Sequence, residues 1–167
     1  MGEAGILRED ERVELIEGEI VEMNPVGSRH AACVGALTRL LGRSLGDELL
    51  LDVQNPIRLN GGLEPQPGLA VVRARDYGES LPGPEDVLLA IEVSDTSLAY
   101  DRNVKLSLYA RAGIGEDWIV DLPSEAIERH NDPSEDGYGR MQRVGRGRSL
   151  ASEVLPNLTL QANAVLG

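Results

Sequence analysis

The chain has 167 residues, and 28 acidic against 16 basic side chains leave a formal net charge of −12. An apolar share of 41% and a charged share of 26% lie near globular averages, which excludes collagen, coiled coil and wholesale disorder. Its longest uncharged apolar run, Val87 to Ile91, falls far short of the roughly 20 residues of a membrane span, and the acidic balance argues against coating nucleic acid through bulk charge.

The first twenty residues carry Glu3, Glu9, Asp10, Glu11, Glu14, Glu17 and Glu19 without an apolar core. No signal peptide is expected there, and the cytoplasm is the default location. Val13 to Ile16 and Ile20 to Met23 flank Glu17-Gly18-Glu19, which predicts a β-hairpin. After Asn24-Pro25-Val26-Gly27, Ser28 is the expected N-cap of a helix running to about Gly46. Cys33, Leu37 and Leu41 recur at i, i+4, i+8 on that helix and form its apolar stripe. Cys33 is the only cysteine, so no intramolecular disulfide can form.

Leu49 to Val53 and Pro56 to Leu59 read as short strands, and Gly61-Gly62 as a turn. Glu64-Pro65-Gln66-Pro67-Gly68 leads into the apolar run Leu69 to Val72, and residues 74–86 read as a surface loop. Val87 to Val93 predicts a strand buried on both faces. A helix follows over about Leu98 to Ala112, ended by Gly113, then a strand at Asp117 to Asp121. Ala126 to Arg129 and Tyr138 to Val144 read as a hairpin pair, and Leu158 to Val165 as a terminal strand or helix. That order predicts one α/β (α+β) domain over residues 1–167, with no linker and no internal repeat.

Glu92 is the first candidate for chemistry. A charge within an apolar strand costs several kcal/mol unless something compensates it. Strand alternation places Glu92 and Ser94 on the side of Leu88 and Ala90, with Val87, Leu89, Ile91 and Val93 opposite. On the following helix, Asp101, Lys105 and Tyr109 at i, i+4, i+8 fall on one stripe. Lys105 is the only lysine in a chain whose other cations are all Arg, and the two differ where a compact ammonium is needed. A short connection brings this helix back over the strand end that carries Glu92.

The weaker candidates have ordinary structural readings. His30 opens the first helix near its apolar stripe, Glu14 lies two residues before a hairpin turn, and His130 reads as a surface residue without a partner pattern. Arg140, Arg143, Arg146 and Arg148 read as a solvated hairpin balancing the acidic stretch 125–136, with a phosphate-contacting hairpin as the alternative. Ser94 lacks a nucleophile-elbow context, and no P-loop, Rossmann fingerprint or zinc-ligand spacing is present.

Taken in order, Glu64-Pro65-Gln66-Pro67, Ile91-Glu92-Val93-Ser94, Asp101…Lys105…Tyr109 and Gly113-Ile114-Gly115-Glu116-Asp117-Trp118-Ile119-Val120-Asp121 resemble the putative restriction endonuclease family of the PD-(D/E)XK nuclease superfamily. The hairpin around Gly18 and the helix-opening His30 match as well. The resemblance implies a restriction-endonuclease-like fold: a central mixed β-sheet flanked by helices, with N-terminal and C-terminal β-hairpins. It also implies phosphodiester hydrolysis on DNA, with Mg²⁺ or Mn²⁺ as cofactor. Because the −12 charge leaves affinity to local contacts, a homodimer is expected as well, with no membrane association. Glu92 matches the family's second metal-binding acid, with the Val93 carbonyl as a further ligand. Lys105 matches the lysine that supports the nucleophile, and Tyr109 would orient Lys105 or a phosphate.

Position 68 departs from that pattern. Where the family has Pro-Asp this chain has Pro67-Gly68, so a first metal-binding carboxylate is missing and weak metal binding is expected. Glu64, Asp101 and Glu14 are the candidate replacements. The rival expectation is a non-enzymatic binding or assembly protein on the same fold, and hydrolysis of a smaller phosphate ester is a third.

Overall fold

The computed structural model describes residues 27–167 in full, and the backbone of 12–16 and 19–23. Strands β1 (Arg12–Ile16) and β2 (Glu19–Met23) pair antiparallel with Ile16 opposite Glu19, as the hairpin reading requires. The side chains of this pair, Glu14 included, lie outside the described residues. Helix α1 covers Ser28–Ser44. Ser28 is its first helical residue rather than its cap: Gly27 holds the N-cap position with no side-chain bond, and its carbonyl accepts from Ala31 N at 2.9 Å.

Six strands build the central sheet in the order β3-β4-β5-β6-β7-β8. They are β3 (Leu49–Val53), β4 (Leu69–Arg73), β5 (Val87–Ser94), β6 (Glu116–Asp121), β7 (Ala126–Ser134) and β8 (Gly137–Gly145). Only β5 and β6 run parallel; every other neighbouring pair is antiparallel. A parallel pair needs a crossover, and here it is helical: α2 (Leu98–Tyr100), a π-helical turn (Asp101–Lys105) and α3 (Leu106–Arg111). Gly113 ends it with φ +84°, a conformation that glycine takes without the cost other residues bear.

The segment Pro56 to Leu59 is not a strand. Ile57 N bonds Pro65 O and Leu59 N bonds Leu63 O, while Arg58 N reaches Pro82 O in the 74–86 loop, so its donors are spent on loop carbonyls instead of on a ladder. Conversely, the C-terminal reading was too coarse. A short strand β9 (Ser149–Ala151) pairs with β10 (Thr159–Gln161), and helix α4 (Ala162–Leu166) follows directly.

Period-two alternation divides the sheet's side chains between two cores. One face, with Leu69, Val71, Leu89, Ile91, Val93, Trp118 and Val120, packs against Cys33, Leu37 and Leu41 of α1 and against Leu160, Val165 and Leu166 from the C-terminus. The other face, with Ala70, Val72 and Ala90, packs under Leu108 and Tyr109 of α3. One local correction applies. Val71 pairs with Leu89 but Val72 with Val87, so Leu88 is a bulge. The bulge reverses the expected sides: Leu88 packs on the first core and Val87 joins the second.

Candidate active site

Register places the site. Glu92 pairs with Ile119, and Ala90 with Asp117, across the parallel β5–β6 ladder. Ala90, Glu92, Ser94, Asp117, Ile119 and Asp121 therefore share the face covered by the crossover. Within the crossover, Asp101 and Lys105 bracket the π-helical turn, and Leu106 N closes it on Asp101 O. Turns of this kind are rare and occur often at functional sites. Asp101, Lys105 and Tyr109 are all buried, at 2%, 0% and 0% exposure, so the expected stripe faces the sheet.

Glu92 is held from three directions. Gly68 N donates to Oε1 at 3.2 Å, Lys105 Nζ donates to Oε1 at 3.3 Å, and the Tyr109 hydroxyl donates to Oε2 at 2.7 Å. Lys105 also donates to the carbonyl of Gln66 at 2.8 Å, which ties α3 to the strand-leading loop 64–68. Such charge-assisted bonds in a buried setting compensate both ions and fix their relative geometry. Glu92, Lys105 and Tyr109 thus converge, with the Tyr109 hydroxyl on the Glu92 carboxylate, and Gly68 meets Glu92 through its backbone.

The remaining candidates divide. Asp101 Oδ2 accepts from Ser94 Oγ at 2.6 Å and Ser97 Oγ at 2.8 Å, so Ser94 anchors the crossover rather than standing in for a catalytic lysine. The Val93 side chain lies in the opposite core. Glu64 pairs with Arg58 Nη2 at 2.5 Å, which takes its carboxylate to a surface ion pair. His30 occupies the first turn of α1, half-buried, on the helix that packs against the other face of the sheet.

His130 corrects the surface reading. It is buried, and its Nε2 lies 3.0 Å from Glu128 Oε1. Glu128 also receives Arg102 and Arg143, and both arginines reach Asp121, at 3.6 and 3.2 Å. Burial pushes the Glu128 carboxyl up, but the bonds from His130 and Arg102 outweigh that and bring it down to about 2. Of the basic hairpin, Arg143 and Arg146 pair with Glu128 and Glu125 of the acidic stretch expected to balance it, whereas Arg140 pairs with Glu153 outside it.

Two adjacent acids escaped the sequence reading. Glu116 accepts from Trp118 Nε1, Asn131 Nδ2, Ser152 Oγ and Glu153 N, all within 2.6–2.8 Å. Asp117, one residue on, is fully buried, and among the described residues no partner reaches either of its oxygens. Burial raises its pKa well above the usual carboxyl value; Glu92 and Asp101 add to the shift, and Lys105 opposes it. The signal was present: an acid leading an apolar strand deserves the same question as Glu92, and a parallel neighbour puts Asp117 on Glu92's face.

A family model described as Uma2, putative restriction endonuclease, matches residues 4–163. The chain belongs to that family. Its fold matches the crystal structure of a putative nuclease belonging to DUF820 from Anabaena variabilis ATCC 29413, with TM-score 0.70 and 13% identity over 98% of this chain and 94% of that one. No curated protein matches the chain. Family and fold together support a nuclease-like function. Among the described residues no helix is long and apolar enough to cross a membrane.

Restriction-endonuclease-like proteins generally use divalent metals. The residues at the family's two acid positions do not fit one here. Position 68 is Gly, both oxygens of Glu92 accept protein donors, and Asp101 Oδ2 is held by two serines. Among the described residues, no group of three or more Asp, Glu, His or Cys side chains is placed to hold a metal ion.

Proposed function

We propose that this chain hydrolyses phosphodiester bonds in DNA, slowly, at the constellation of Glu92, Lys105 and Tyr109. The convergence of the chain's only lysine and a buried strand carboxylate at 3.3 Å carries the reading. An ammonium at that point can stabilise the negative charge that develops on a phosphorane or on attacking hydroxide. Tyr109 fixes the Glu92 carboxylate from the far side, so the acid is oriented before substrate arrives. The net charge of −12 means that DNA must be held by local contacts rather than by the general field. Slow turnover follows from Gly68, which leaves Glu92 as the sole acid of the family motif. Magnesium or manganese binding at the family's own position is accordingly weak.

A second reading, a non-enzymatic binding protein on the nuclease fold, is favoured by one observation: Gly68 N donates to the oxygen of Glu92 that also receives Lys105. Plasmid nicking in manganese buffer separates the two. The native chain should nick supercoiled DNA, and Lys105→Arg should reduce nicking by about 100-fold or more, because Arg keeps the charge but not the compact ammonium that fits beside Glu92. Unchanged nicking in Lys105→Arg removes Lys105 from the mechanism. Retarded DNA without any nicking by the native chain supports the binding protein.

A further inference from the structure

We infer that Asp117 supplies the second carboxylate that position 68 lacks, so that this chain holds a divalent cation between β5 and β6 rather than between β4 and β5. The inference deepens the nuclease reading, and rests on it only for what the cation would do once bound.

The argument begins with what a structural acid looks like in this protein. Glu116 is as buried as Asp117 and has four donors. Asp117 has none among the described residues. A buried carboxyl without a hydrogen-bond partner costs several kcal/mol, and each such group in a folded protein calls for an explanation. An unmade bond to a cation is one, and the surroundings favour it.

Asp117 is on the same sheet face as Glu92, one strand over and two residues toward the strand's start. With strands about 4.8 Å apart and a rise of about 3.3 Å per residue, the two Cα atoms are about 8 Å apart. A glutamate and an aspartate can span that distance through one ion whose oxygen ligands lie at about 2.0–2.2 Å. The electrostatic surroundings agree: beyond burial, Glu92 and Asp101 are the leading negative charges acting on Asp117, with Lys105 opposing them, and a cation between Asp117 and Glu92 would add to that opposition.

Two protein carboxylates, the remainder being water, is an ordinary complement for magnesium, which keeps several waters and seldom takes a full protein cage. The absence of any group of three ligands among the described residues is therefore compatible with this site. It does require Glu92 to exchange a protein donor for the ion. Lys105 is the natural one to yield, because its second bond, to the Gln66 carbonyl at 2.8 Å, keeps the ammonium in place.

The test uses manganese(II) chloride and the full chain, read by loss of the free-ion electron paramagnetic resonance signal. The native chain should bind, and Asp117→Asn and Glu92→Gln should each weaken binding by about tenfold or more, as expected on losing one of two charged ligands. Circular dichroism establishes that each variant is folded, and Asp117→Ser replaces Asp117→Asn if the latter is not. Equal binding in native and Asp117 variants overturns the inference, as does no binding by the native chain at millimolar manganese. Its failure is separable from that of the nuclease reading. Nicking that depends on Lys105 but not on Asp117 rejects this site alone, whereas binding that depends on Asp117 without nicking rejects only the activity.

Discussion

Glycine at position 68 bears on packing as well as on the proposed metal ligands. A Cβ built there would meet the Ile91 carbonyl oxygen at 3.0 Å and Val93 N at 3.6 Å, both backbone atoms of β5. The approach that lets Gly68 N reach Glu92 is therefore one that a side chain would have to push apart. Gly68→Asp should bind manganese more tightly than the native chain, because two carboxylates would then flank one point. It should also lose about 1–3 kcal/mol of stability, the usual cost of forcing atoms into a packed site. Paired metal titration and urea unfolding check this; equal manganese affinity in both proteins would remove position 68 as the place where a ligand was lost. The contrast between Glu116 and Asp117 belongs to the same scale. Neighbouring acids of like burial differ in their partners because alternation sends one toward Asn131 and Ser152 and the other under the crossover.

Among the elements, the crossover is the one that assembles the site. Its π-helical turn carries Asp101 toward Ser94 and Lys105 toward Glu92, and Arg102 leaves the same turn toward Asp121 and Glu128. Glu128 thus joins the crossover to β7, and through Arg143 to β8. Its folded value of about 2 lies below the ordinary 4.5, so the stabilisation is complete above pH 4.5 and is lost as the pH falls toward 2. Glu128→Gln should flatten the fall in stability across that window, measured by urea unfolding at stepped pH. Superimposable native and variant curves would show that the network does not couple folding to protonation there.

On the scale of the whole molecule, two cores lie on opposite faces of one sheet, and the C-terminal segment closes the larger. Leu150, Leu155, Leu158, Leu160, Val165 and Leu166 all pack into it, and Glu116 at the start of β6 accepts from Ser152 Oγ and the Glu153 amide. Burying each large aliphatic side chain is worth about 1.5–3 kcal/mol, so this segment contributes on the scale of a whole domain's net stability. Ending the chain before Ser149 should abolish cooperative thermal unfolding and expose apolar surface to a hydrophobic dye. A sharp transition in the shortened chain would show that the sheet and α1 suffice.

Local pattern alone determined the strands around Val87, Asp117 and Ala126, the crossover helix and its stop at Gly113, and the need of Glu92 for a compensating partner. Each follows from short-range physics: apolar period, a glycine's tolerance of positive φ, and a charge that an apolar strand cannot leave uncompensated. Only the tertiary structure decided that Pro56 to Leu59 is loop, that Leu88 bulges, that His130 is buried against Glu128, and that Asp117 comes to Glu92's side of the sheet. Those outcomes depend on which strand lies beside which and in what register. Registry is a property of segments far apart in the chain, so no window of neighbouring residues contains it.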